Sequence, residues 1–238
     1  MEESMNRIFL ILTFTVCAFC MKAQRETYRL NVGQFDKLLI SDDVNVVYRS
    51  IPDSTGFAVF EGEREFADAF IFTNSKGKLK IQVNTDDVDK PGLPTVTVYS
   101  DFLTWVESSS SYVVTIHNSV SVPTFSAYLE GNGKIIADNI KTNEAAGVLA
   151  TGNGSIILSG TASKGSFRMV GAGTIKTDEL ECEDVKCRIL GTGKITCWGK
   201  NTLDVRGIGS TKIYYKGTPD IKKVGGGKVF PLSEYSLK

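Results

Sequence analysis

The residues whose spacing first suggests chemistry are paired glycines. Gly131 and Gly133, Gly152 and Gly154, Gly171 and Gly173, and Gly191 and Gly193 form four Gly-x-Gly units, and Gly207 and Gly209 form a fifth. Such units cradle phosphates when their amides open a helix, and a dinucleotide site needs Gly-x-Gly-x-x-Gly between a strand and a helix. Here the third residue after the second glycine is Ile136, Ile157, Lys176 or Thr196, and no helical pattern follows. "GTGKI" also lacks the Ser or Thr that follows the lysine of a phosphate loop. Calcium-binding solenoids place an Asp two residues after a glycine to supply ligands. Isoleucine stands there instead.

The remaining candidates are sparse. The acidic run Asp178–Asp184 reads as the solvated edge of one repeat. Asp86, Asp87 and Asp89 lack the glycine and terminal Glu of an EF-hand loop. Cys187, four before its glycine, and Cys197, six after it, occupy apolar columns of the repeat, where a thiol behaves as a small hydrophobe. Cys182 is out of phase with both, and three free thiols are preferred over a Cys182–Cys187 bridge. His117 is the only histidine, so neither a His-based zinc site nor a Ser-His pair has its partners, and it reads as a surface residue. No catalytic residue, metal or cofactor is assigned. The ten glycines are assigned a structural role, as corners that need positive φ.

Around these residues stand short segments rich in Val, Ile, Thr and Tyr, separated by Gly, Asn, Asp and Ser. "KLKIQV" alternates Leu79, Ile81 and Val83 against Lys78, Lys80 and Gln82. The one helix-like stretch is Glu63–Phe70, and Asp86–Pro94 is the best internal loop. The first four repeat glycines are spaced by 21, 19 and 20, and Gly207 follows after 16. With each first glycine set to zero, Ala127, Val148, Phe167, Cys187 and Leu203 lie four before it. Leu129, Ala150, Met169, Ile189 and Val205 lie two before it. Ile135, Ile156, Ile175, Ile195 and Thr211 lie four after it. The columns between are largely polar. Strands of period two therefore enter and leave each Gly-x-Gly, and equivalent residues pile into columns that one coil alone could not bury. Ser110 fits as the zero of an atypical earlier coil, with Val106, Val114 and Ile116 inward.

The pattern predicts an all-β chain, a parallel β-helix (β-solenoid) with coils of about 20 residues and an N-terminal β region capping it. Residues 27–100 are assigned to the N-terminal region and 101–230 to the repeats. Lys plus Arg equals Asp plus Glu, at 27 each, which offers no electrostatic case for nucleic acid or an anionic membrane. Arg7 followed by the apolar run Ile8–Phe19 predicts a signal peptide over residues 1–23, cleaved after Cys20 or Ala23. Val16 before Cys17 and Phe19 before Cys20 disfavour a lipoprotein. No second run of spanning length follows, so an exported protein that is not integral to the membrane is expected.

"FDKLLISDDVNVVYRS", "GKLKIQV", the serial G-x-G-x-I units and "YYKGTPDIKKVGGGKV" resemble the putative auto-transporter adhesin, head GIN domain family. The resemblance runs from about Thr27 to the C-terminus. It implies a right-handed all-β solenoid in the envelope of a Gram-negative bacterium, periplasmic or at the cell surface. It supplies no catalytic residues. The expected function is non-enzymatic surface binding, adhesin-like, with a glycan or protein ligand. The alternatives are a polysaccharide-active β-helix enzyme and a purely structural envelope scaffold.

Overall fold

A computed structural model describes residues 25–84 and 92–237. The expected signal peptide with Cys17 and Cys20, and Asp86, Asp87 and Asp89, lie outside the described residues. The protein is a β-solenoid of about 6 turns, nearly all β. Its central runs Val122–Glu130, Lys134–Thr151, Ser155–Met169, Thr174–Ile189 and Lys194–Gly207 pair in parallel, each with the next. Period-two alternation decides what faces in. Val114, Ile135, Ile156, Ile175, Ile195 and Ile213 stack in register as one column, all fully buried. Burying one such side chain is worth about 1.5–3 kcal/mol, and the column repeats that gain at every coil.

Two coils depart from the register that equal glycine positions suggest. In the coil ending at Gly152, Gly147 and Leu149 face inward, opposite Ala127 and Leu129, whereas Val148 and Ala150 face out. The ladder shifts after Leu129, where Glu130 pairs with Thr151. One extra residue is absorbed there as a bulge, which explains the spacing of 21 followed by 19. In the last repeat the residue standing over Gly191 is Gly209, not Gly207. Gly207 pairs with Ile189, Val205 with Cys187, and Ile213 rather than Thr211 joins the isoleucine column. Hydrogen bonds between coils fix this register, and the spacing of glycines only approximates it.

The N-terminal coils are stacked out of sequence order. Lys37–Ile40 pairs in parallel with Lys78–Val83 on one side and with Trp105–Ser108 on the other. Val46–Arg49 likewise lies between Val96–Tyr99 and Val113–His117. The chain lays down one coil, leaves to build the coil beneath it, then crosses to build the coil above. The Thr104 amide donates to the Asp36 carbonyl at 2.8 Å at the crossing. Antiparallel pairs close this end: Glu26–Asn31 with Phe57–Gly62, and Phe70–Ser75 with Lys78–Val83. The helix Arg64–Ala69 joins them. Phe60 and Phe70 meet edge-on at 4.8 Å beneath Tyr28.

At the other end Asp220–Gly225 lies over Thr202–Gly207, and Lys228–Pro231 over Lys212–Tyr215. All six residues of Asp220–Gly225 are exposed. Lys223 stands over buried Val205, so a charge terminates an apolar column. A lysine at that position discourages another strand from adding to the edge.

Candidate ligand-binding groove

On one face of the central coils the inward residues shrink to Ala145 and Gly165, and the outward residues beside them to Ser126, Ala146 and Ser166. Short side chains on both sides of the backbone leave a groove of about 460 Å³ running across the strands. That is the size of a small-molecule site. Along one rim the outward row reads Thr124, Glu144, Lys164, Asp184, Thr202, in register from coil to coil. Lys164 pairs with Glu144 at 3.5 Å, and the Thr202 hydroxyl donates to Asp184 at 2.6 Å. The ion pair is largely exposed and contributes little to stability, so both groups are free to exchange it for a ligand. Lys186 continues the outward row of small residues after Ser166. The arrangement offers alternating charge and hydroxyls at strand spacing, about 4.8 Å, beside a floor of small side chains. The one signal for it in the sequence is the run of small residues in a single outward column.

The glycine corners do other work than cradling phosphate. Their amides are already bonded to the coil beneath: Gly154 N donates to Gly131 O at 3.1 Å, Ala172 N to Gly152 O at 2.8 Å, and Thr174 N to Gly154 O at 3.0 Å. Positive φ is found at Gly131, Gly152, Gly193, Gly207 and Gly209. Gly133, Gly154, Gly171, Gly173 and Gly191 do not have it. At these a Cβ would overlap carbonyl groups of the previous coil, so close stacking and not dihedral freedom selects glycine.

The three cysteines among the described residues, Cys182, Cys187 and Cys197, are free and buried. Cys182 is not out of phase after all: it faces inward, stacked over Ala162, and its thiol donates to the Leu180 carbonyl at 3.6 Å. Burial pushes that thiol up to about 12. The Cys197 thiol is raised well above its ordinary value, first by its hydrogen bond to Cys187 and then by burial. Neither Cys182 nor Cys197 is a nucleophile at neutral pH.

The acidic run is distributed by strand alternation. Glu181 pairs with Lys200, Asp178 accepts from the Thr196 hydroxyl, and Leu180 and Cys182 turn inward. Among the described residues no group of three or more His, Cys, Asp or Glu is placed to hold a metal.

His117 is less simple than a surface residue. Its Nδ1 lies 2.8 Å from Asp138 one coil away, both about 37% exposed. Beside it Asn118 is 4% exposed, and neither its side-chain nitrogen nor its oxygen has a partner among the described residues. No hydroxyl or thiol bonds the imidazole in this part of the structure.

Comparison with known proteins agrees with the fold. A putative adhesin from Bacteroides fragilis superposes with a TM-score of 0.75 at 20% identity, covering 87% of this chain and 97% of that one. A putative lipid binding protein from Parabacteroides distasonis gives 0.71 at 20% identity, over 88% and 97%. A putative adhesin from Parabacteroides merdae gives 0.68 at 15% identity, over 88% and 97%. No curated protein matches. No helix among the described residues is long and apolar enough to cross a membrane. The family model for the putative auto-transporter adhesin, head GIN domain, matches residues 34–219, and the chain belongs to that family.

Proposed function

We propose that this protein is an exported envelope component of a Gram-negative bacterium that binds an extended ligand, a glycan or a protein segment, without transforming it. The observation that carries the reading is the groove between Glu144 and Thr202, whose hydroxyls and charges recur at every coil. An extended ligand laid across the strands would meet a charged or hydroxyl-bearing side chain at each strand step. The adhesin names of the family and of two structural relatives support the same reading.

The test is a glycan and matrix-protein array, followed by calorimetry on any ligand found. Ser166→Trp fills the groove from an exposed position and should abolish binding without lowering the melting temperature. Unchanged binding in that variant would remove the groove from the proposal. Absence of any ligand would favour the scaffold. Protease shaving of intact cells against lysed cells tests exposure at the surface.

The enzyme reading has one observation in its favour, since Glu144 and Asp184 both border the groove. They stand in the same row on strands two steps apart, about 10 Å. Lys164 stands between them, and both carboxylates already have partners. Release of reducing ends from a polysaccharide, lost in Glu144→Gln and Asp184→Asn, would reverse the preference.

A further inference from the structure

Three consecutive coils enter their corner with one pattern: Arg168-Met169-Val170-Gly171, Arg188-Ile189-Leu190-Gly191 and Arg206-Gly207-Ile208-Gly209. The earlier coils have Tyr128 and Val148 where these have arginine. Arg168, Arg188 and Arg206 are in direct register. Val170, Leu190 and Ile208 continue the same ladder, with Leu190 N donating to Met169 O and Ile208 N to Ile189 O, each at 2.8 Å. Strand alternation puts the intervening residue inward and both flanking ones on the outer face. The result is a row of arginines beside a row of branched aliphatics, on one rigid sheet.

The aliphatic row is solvent-exposed, and increasingly so: Val170 36%, Leu190 56%, Ile208 78%. In the next coil Val224, in register with Arg206 and so at the end of the arginine row, is 62% exposed. Aliphatic side chains lined up on a surface mark an interaction site. The charge beside them is positive. Asp204 is shared between Arg188 at 3.6 Å and Arg206 at 2.9 Å, and Arg168 has no ion pair among the described residues. From Arg206 to Lys228 the chain carries six basic residues and one acidic one. The neutral total of the chain therefore conceals a basic end.

We propose that the arginine row and the aliphatic row beside it form a docking surface for an anionic lipid bilayer. Arginines at strand spacing meet the headgroup phosphates, and Val170, Leu190 and Ile208 enter the boundary with the acyl chains. The aliphatics favour a membrane over an anionic polymer. Neither row carries an aromatic ring in these three coils on which a base or sugar could stack. The surface is independent of whatever the groove holds.

The test uses the full chain and co-sedimentation with vesicles of phosphatidylcholine alone or mixed equally with phosphatidylglycerol. Binding is expected only to the mixed vesicles and should weaken with salt. Replacing all three arginines with glutamine should lower the binding constant roughly a hundredfold, at about one kcal/mol each, while replacing them with lysine should retain most of it. Leu190→Ser with Ile208→Ser should weaken binding about tenfold at unchanged charge. Because the apolar run Ile8–Phe19 could bind vesicles by itself, Ile208→Trp reports the position directly. Its fluorescence should be quenched by brominated phosphatidylglycerol beyond the wild-type signal. Sedimentation without that quenching overturns the proposal, as does equal binding by the glutamine variant. Binding to heparin that survives Leu190→Ser with Ile208→Ser, without vesicle binding, would assign the face to an anionic polymer instead.

Discussion

Gly173 stands directly over Gly154: a Cβ added to Gly173 would overlap the Gly154 carbonyl oxygen. That oxygen accepts the Thr174 amide at 3.0 Å, so it has no room to retreat. Gly131 differs, with φ of 95° and its nearest obstacle, the Ser109 carbonyl, 3.6 Å from a Cβ. Gly173→Ala should therefore destabilise the protein by about 3 kcal/mol through overpacking. Gly131→Ala should cost only about 1 kcal/mol, from its positive φ. Urea unfolding of the two variants checks the order. Equal losses would mean that dihedral preference, not coil contact, governs the corners.

Ile175 lies between Ile156 and Ile195 and is fully buried. Ile175→Val should cost about 1 kcal/mol. Ile175→Asp should leave no folded soluble protein, since the carboxylate has no partner in the column. Circular dichroism and size-exclusion chromatography read both. A soluble, folded aspartate variant would contradict the register.

Alkaline pH should weaken the fold. Burial raises the Cys182 thiol from 9.0 to about 12. Burial likewise raises the Tyr48 hydroxyl from 10.0 to about 12, against the hydrogen bonds of Ser100 and Ser50. Well below pH 9 both groups are protonated in folded and unfolded chains alike, and stability does not vary with pH through them. As pH rises from 9 toward 12 the unfolded chain loses these protons first, so stability falls, by on the order of a few kcal/mol in total. Urea melts across that range should show the decline, and Cys182→Ala should flatten it. A slope identical in the variant would place the effect elsewhere.

Lys223 ends the column that passes through Val205, and its ammonium donates back to the Gly225 carbonyl at 3.2 Å. Lys223→Val should continue the column to the open edge and promote end-to-end association. Light scattering against concentration reads this, with the wild type as reference. A variant no more associated than the wild type would show that the edge is blocked by other means.

The amino-acid sequence by itself determined the coil. Isoleucine four residues after each of the first four repeat glycines, alternating with polar neighbours, is enough to fix the inward column, because period two leaves each residue only two faces. It also marked the helix near Glu63–Phe70. Tertiary structure alone decided the rest. The bulge at Ala150 and the shift from Gly207 to Gly209 follow from hydrogen bonds between coils, which hold register while the corner adjusts. The interleaved N-terminal coils depend on which strand closes against which, and loop closure costs too little extra with length for sequence order to forbid the crossing. The groove, the His117–Asp138 contact and the arginine and aliphatic rows are juxtapositions between coils about 20 residues apart. Each coil holds only one member of each row, and the rows come into being only when the coils stack.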